Sequence, residues 1–183
     1  MDNTKTANTG AVNTFIRRVV SPGYSVLTLS LYRLNLVLKL RPVIGKDKRG
    51  FDIYCRDTFI STSLDYDGAT VFHQTAMSIY KGNEPENQLE LTMPSGNNAT
   101  VTLAYKPDEA NQMTAYLVLS KNNITIPFRF ATCQYQTCVD GKWITKVCQA
   151  GLGAFAMVLE GYLRGIGADN HFSKLTEAEL DPE

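Results

Sequence analysis

The residues of this 183-residue chain best suited to catalysis or metal binding are two histidines, His73 and His171, and four cysteines, Cys55, Cys133, Cys138 and Cys148. Their spacing supports neither chemistry. Four residues separate Cys133 from Cys138, but Cys148 stands alone and neither histidine is close in sequence. A structural zinc site wants paired short spacings. The four thiols are therefore expected to be buried and reduced. No Gly-x-Ser-x-Gly, His-Glu-x-x-His or phosphate-loop pattern occurs. Gly151-Leu152-Gly153-Ala154-Phe155 lacks the third glycine of a dinucleotide loop and reads as close helix packing. Asp52, Asp57, Asp65 and Asp67 are spread near strand ends rather than paired. The reading is a protein that is not an enzyme, with no catalytic residue, metal or cofactor.

The chemistry that remains is binding. Cations interleaved with flat rings suit a single nucleic-acid strand, whose phosphates need charge and whose unstacked bases need aromatic faces. Arg33, Lys39 and Arg41 alternate with a leucine face at Leu34, Leu36, Leu38 and Leu40, so burying the leucines turns the cations outward. Lys46, Lys48 and Arg49 fill the following turn. Tyr54 and Arg56 alternate with Phe51, Ile53 and Cys55, which places Tyr54 outside. The second half repeats this more weakly, with Lys106 beside Tyr105, Arg129 between Phe128 and Phe130, and Lys142 and Lys146 around Trp143. These thirteen positions (Arg33, Lys39, Arg41, Lys46, Lys48, Arg49, Tyr54, Arg56, Lys106, Arg129, Lys142, Trp143 and Lys146) are the candidate nucleic-acid-binding residues.

Strands and helices must position them. Residues 1–25 read as a mobile N-terminal arm, with Thr14–Val20 of helical or strand character and a stop at Ser21-Pro22-Gly23. Val26 to Ile44 reads as long β structure, followed by strands at Phe51–Arg56 and Thr58–Leu64. Ala69, Phe72, Ala76, Ile79 and Tyr80 recur at helical spacing, predicting a helix over Tyr66–Lys81 with Asp65 or Asp67 as N-cap and Gly82 as stop. After the polar link 83–87, strands are predicted at Gln88–Met93, Ala99–Lys106, Met113–Lys121 and Asn123–Thr132. A hairpin centres on Asp140-Gly141, and a second helix covers Gln149–Ile166. The fold class is α+β: antiparallel sheets with a helix closing each of two pseudo-repeated halves, 26–82 and 88–167, in one domain over 26–170.

Charge divides the chain. It holds 18 basic and 18 acidic residues, but residues 174–183 contain one lysine and four carboxylates, leaving 17 against 14 in the remainder. A mildly basic body thus carries an acidic tail over 171–183, which would compete for a basic groove or recruit a protein partner. No apolar run reaches the ~18 residues of a membrane span, and residues 1–10 lack a signal-peptide core, so a cytoplasmic location without membrane contact is expected.

The order strands, helix, strands, helix over Val26 to Ile166, with basic and aromatic outward faces, resembles the Whirly/PC4-like single-stranded nucleic-acid-binding proteins. Lys46-Asp47-Lys48-Arg49-Gly50 is a loose analogue of the lysine-rich strand motif of plant Whirly proteins. With its basic body and acidic tail, the chain is also similar to phage single-stranded DNA-binding proteins that serve an RNA polymerase as cofactor. The resemblance implies a homo-oligomer binding single-stranded DNA in transcription or replication. An RNA polymerase or replication protein would meet the tail, and the location would be the host cytoplasm. RNA as the ligand of the same fold, or a dimeric interaction scaffold without nucleic-acid affinity, are the alternatives.

Overall fold

Leu36, Leu38 and Leu40 are completely buried while the residues between them are not, so the alternation read from the sequence is the alternation of a half-buried strand. The computed structural model describes residues 14–33, 35–82 and 88–165. Leu34, the link 83–87 and the acidic tail 171–183 lie outside the described residues, as does the N-terminus before Thr14.

The first sheet comprises β1 (Thr14–Ser21), β2 (Ser25–Tyr32), β3 (Asn35–Lys46), β4 (Asp52–Tyr54) and β5 (Ile60–Leu64). β1, β2 and β3 pair in sequence, and the long β3 forks to meet both β4 and β5, all antiparallel. Val26–Ile44 is β structure as expected, folded as a hairpin at Arg33, whose φ is 48°. One expectation changes here. Thr14–Ser21 is a paired strand rather than part of an arm. α1 (Tyr66–Tyr80) follows, capped by Asp65, whose carboxylate accepts the Gly68 N–H at 2.8 Å.

The second sheet is a meander of β6 (Leu89–Ser95), β7 (Ala99–Pro107), β8 (Met113–Lys121) and β9 (Ile124–Arg129). Its turns use asparagines in the left-handed region, Asn97 and Asn98 after β6 and Asn122 and Asn123 after β8, where the short amide side chain tolerates positive φ. β10 (Cys133–Val139) and β11 (Lys142–Cys148) then form a separate two-stranded hairpin, and α2 (Ala150–Arg164) ends the described chain. The result is an α+β fold. Both halves run from sheet to helix, although β3 forks in the first and the second is a simple meander.

One apolar cluster joins both sheets and both helices. Leu27, Leu29 and the β3 leucines meet Leu103, Leu117, Leu119 and Phe128, with Phe72 of α1 and Leu152, Phe155 and Leu159 of α2. Each such side chain contributes roughly 1.5–3 kcal/mol on full burial. The expected role of the glycines holds at α2. A Cβ on Gly153 would lie 2.7 Å from the Tyr80 ring, and one on Gly151 would lie 2.6 Å from the Ala131 amide nitrogen, so only glycine lets α2 approach this closely. Buried hydroxyls also tie the sheets together. Ser25 Oγ donates to the Pro127 carbonyl at 2.6 Å, and Ser21 Oγ accepts the Arg129 N–H at 3.1 Å. Among the described residues no helix is long and apolar enough to cross a membrane.

Candidate nucleic-acid interface

Burying the leucines of β2 and β3 turns the alternate residues of the first sheet away from the core. Register aligns them in rows across the strands. Arg18 of β1 lies opposite Thr28 of β2, Thr28 opposite Lys39 of β3, and Lys39 opposite Ser61 of β5. The next row runs Phe15, Ser30, Val37, Ser63. All of these side chains except Ser63, with Arg41 and Val26, line a groove of about 380 Å³, and a second of about 380 Å³, which Ser63 lines, continues past Val37 and Ser61 towards Tyr32 and Arg33.

Arg18, Lys39 and Arg41 form no ion pair among the described residues. The Nε of Arg41 is buried with no hydrogen-bond partner among them. A buried donor left unpaired is costly. Burial, and then the neighbouring Arg41 charge, hold the Lys39 ammonium below its usual pKa. The same ammonium sits 3.7 Å over the centroid of the Phe59 ring, a cation–π contact at the groove wall. Phe59 is half-exposed and Phe15 is 61% exposed, so flat apolar surface borders the cations. At the β2–β3 turn the Arg33 guanidinium lies 5.4 Å over the Tyr32 ring.

Tyr54 is paired to Val43 and half-buried, whereas Phe51 and Ile53 are the exposed residues of that segment, with Phe51 at 68%. The expected parity is thus reversed, because the three-residue β4 offers no core to the Phe51 side. Burial and the Asp52 carboxylate push the Tyr54 hydroxyl pKa up while the Arg18 charge opposes them. Asp52 itself accepts the Gly23 N–H at 2.8 Å and so pins β4 to the β1–β2 turn. At the far end of β3, Lys46 closes the strand and Lys48 and Arg49 project from an exposed turn shaped by Asp47, whose carboxylate accepts the Arg49 and Phe51 N–H groups at 2.8 and 2.9 Å. Arg56 is exposed just after β4.

The remaining candidates do not converge on this face. Lys106 and Arg129 lie on the outer face of the second sheet. Arg129 is not the free cation expected, because it is ion-paired to Asp108. The pair is built in: Asp108 also accepts the Ala110 and Gln112 N–H groups at 2.9 Å and a Thr114 hydroxyl bond. Those backbone bonds first, with Arg129 assisting, hold the Asp108 carboxyl below its usual pKa against the opposing effect of burial. Lys106 lies 5.8 Å over the Tyr116 ring. Lys142, Trp143 and Lys146 stand on the β10–β11 hairpin, with Trp143 71% exposed.

Cysteine placement also departs from expectation. Cys133 and Cys138 are exposed and Cys55 and Cys148 are half-buried, because three of the four fall on that coreless hairpin. Among the described residues no group of three or more His, Cys, Asp or Glu side chains is arranged to hold a metal.

Sequence reasoning missed Arg18, Phe15 and Phe59. The first two sit on β1, where a bulge between Phe15 and Arg17 breaks the alternation, so that Arg17 faces α2 while Arg18 faces the groove. No family model matches the chain, and neither a curated protein nor a solved structure matches it.

Proposed function

We propose that this protein binds single-stranded DNA along the outer face of its first sheet and acts as a binder rather than a catalyst. The observation that carries the reading is the Arg18–Lys39–Arg41 cluster: three cations on one grooved face, none ion-paired among the described residues, one with a buried unpaired donor. Lys39 and Arg41 are like charges at partial burial beside the exposed Arg18; they repel, and phosphates relieve that cost. Phe15, Phe59 and Tyr54 supply faces on which unstacked bases rest. The basic turn at Lys46–Arg49 extends the cationic track beyond β3. In this reading the acidic segment 171–183 competes with DNA for the groove or recruits a polymerase or replication protein, as in a phage transcription cofactor.

A salt series with single- and double-stranded oligonucleotides tests it. Single strands bind more tightly at low salt, and log affinity falls against log salt with a slope of about −0.7 per phosphate neutralised. The absence of any single-strand preference at low salt would end the proposal. RNA oligonucleotides of the same sequence identify the preferred sugar.

A further inference from the structure

The β10–β11 hairpin has no core. Both faces are exposed, yet it carries Trp143 at 71%, Tyr135 at 46%, Ile144 at 44% and Val147 at 42% exposure. The register puts Trp143 and Val147 on one face and Tyr135 and Ile144 on the other. An isolated two-stranded hairpin is marginally stable in water, and apolar side chains on both of its faces make it more costly still.

An apolar groove begins at the root of the same hairpin. Ala131 precedes the hairpin, Ala150 and Gly151 follow it, and all three line a cavity of about 300 Å³ with Leu29, Phe128 and Phe155. A second apolar cavity shares Val158 and reaches Gly165, so the groove follows α2 between that helix and β1. Helical rise makes the fifteen-residue α2 about 22 Å long, and a seven-residue strand spans about 23 Å.

We infer that the hairpin is an exchanged arm: in a two-fold dimer each copy lays its β10–β11 hairpin along the α2 groove of the other. The occupant is a second copy because the surface is self-complementary. One chain carries an apolar projection and an apolar recess of matching length, both starting at residues 131 and 150, as a closed isologous interface requires. Trp143, near the arm's tip, is the anchor, since large aromatic side chains in desolvated recesses dominate such contacts. This inference does not rest on the DNA-binding reading; the dimer forms without nucleic acid.

Trp143 is the only tryptophan in the chain, so its fluorescence reports the arm directly. Sedimentation equilibrium of the full chain, free of nucleic acid, is expected to show a dimer with blue-shifted emission that moves red on dilution as monomer appears. An arm variant, Val147→Asp on the Trp143 face, and a groove variant, Ala154→Arg, are each expected to be monomeric. Mixing the two restores a dimer, because one intact arm then meets one intact groove, and this recovery also shows that both variants fold. A full chain that stays monomeric at every concentration overturns the inference. So does a dimer whose Trp143 emission remains red, or a failure of the mixed variants to associate. Two further outcomes also overturn it by naming another occupant: a blue shift that requires added oligonucleotide, or a dimer that appears only when the chain ends after Gly165.

Discussion

The outer faces of the two sheets share an architecture and differ in what has been done with charge. On the first, Arg18, Lys39 and Arg41 surround a groove without an ion pair among the described residues. On the second, the corresponding surface is lined with hydroxyls that bond one another across strands, Thr92 to Thr102 at 2.8 Å and Ser120 to Thr125 at 3.0 Å. Its half-buried arginine, Arg129, is held by Asp108. A hydroxyl ladder is self-satisfied and a neutralised arginine is at rest, whereas unpaired cations at partial burial retain unspent interaction energy. The first face gathers three cations without an ion pair among the described residues, whereas the second holds one such cation, Lys106 over the Tyr116 ring, beside a neutralised arginine.

The comparison breaks most directly at the cluster. Replacing both groove cations, Lys39→Glu with Arg41→Glu, removes two phosphate contacts and adds repulsion, and should weaken single-strand binding at low salt by well over tenfold, or about 1.4 kcal/mol per decade. Both side chains point away from the core, so a cooperative thermal melt should be retained and serves as the check on folding. Reversing Arg129 instead should leave DNA affinity nearly untouched while lowering the melting temperature, since a largely buried Asp108 loses its counter-charge. Equal losses of affinity from the two sheets would erase the distinction.

The aromatic wall has the next largest effect. Phe59→Ala removes a stacking face and the ring beneath the Lys39 ammonium, and a base–aromatic stack contributes about 1–3 kcal/mol on single strands. Gel-shift titration is expected to show a loss of at least about fivefold with an unchanged salt slope, because no phosphate contact is removed. A reduced slope would mean that Phe59 acts by positioning Lys39 instead.

How far the sequence revealed this face depends on strand length. Over β3 the leucine period ran long enough to place Lys39 and Arg41 outward, and the structure keeps them there. Over β4 three residues carried no reliable parity, and Tyr54 and Ile53 exchanged their expected environments. Arg18 was hidden by a bulge, a feature that side-chain alternation cannot register. Asp65 and the α2 glycines were legible because caps and close approaches act through local chemistry. The Asp108–Arg129 pair was not, since twenty-one positions separate its partners and only the pairing of β8 with β9 brings them together.

The depressed Lys39 pKa gives a third prediction, readable in the pH dependence of binding. Free Lys39 loses its proton as pH rises through a value below 10.5, while phosphate in the groove favours the charged form. Affinity of the wild-type protein should therefore begin to fall on the alkaline side before an ordinary lysine would titrate. Lys39→Arg keeps its charge throughout, because guanidinium pKa values exceed ~12, and should abolish that early decline. An identical pH profile in the variant would show that Lys39 does not meet phosphate.

The smallest effect tests whether pairing is what silences the second sheet. Asp108→Asn removes the negative charge while its amide oxygen still accepts the Ala110 and Gln112 N–H groups, so the turn should survive. Arg129 is then free on a solvent-facing strand. Single-strand affinity should rise by about two- to threefold, with a salt slope steeper by about 0.7 if the arginine gains a phosphate. Stability should move the other way. Because the folded-state pKa of Asp108 lies below 3.8, its contribution is fully present above that value and is lost as pH falls through the folded value. The variant should therefore melt below wild type at neutral pH, and the two curves should converge in acid. A variant that loses stability without gaining affinity would show that Arg129 lies off the DNA path altogether, and that the two sheets differ in position as well as in pairing.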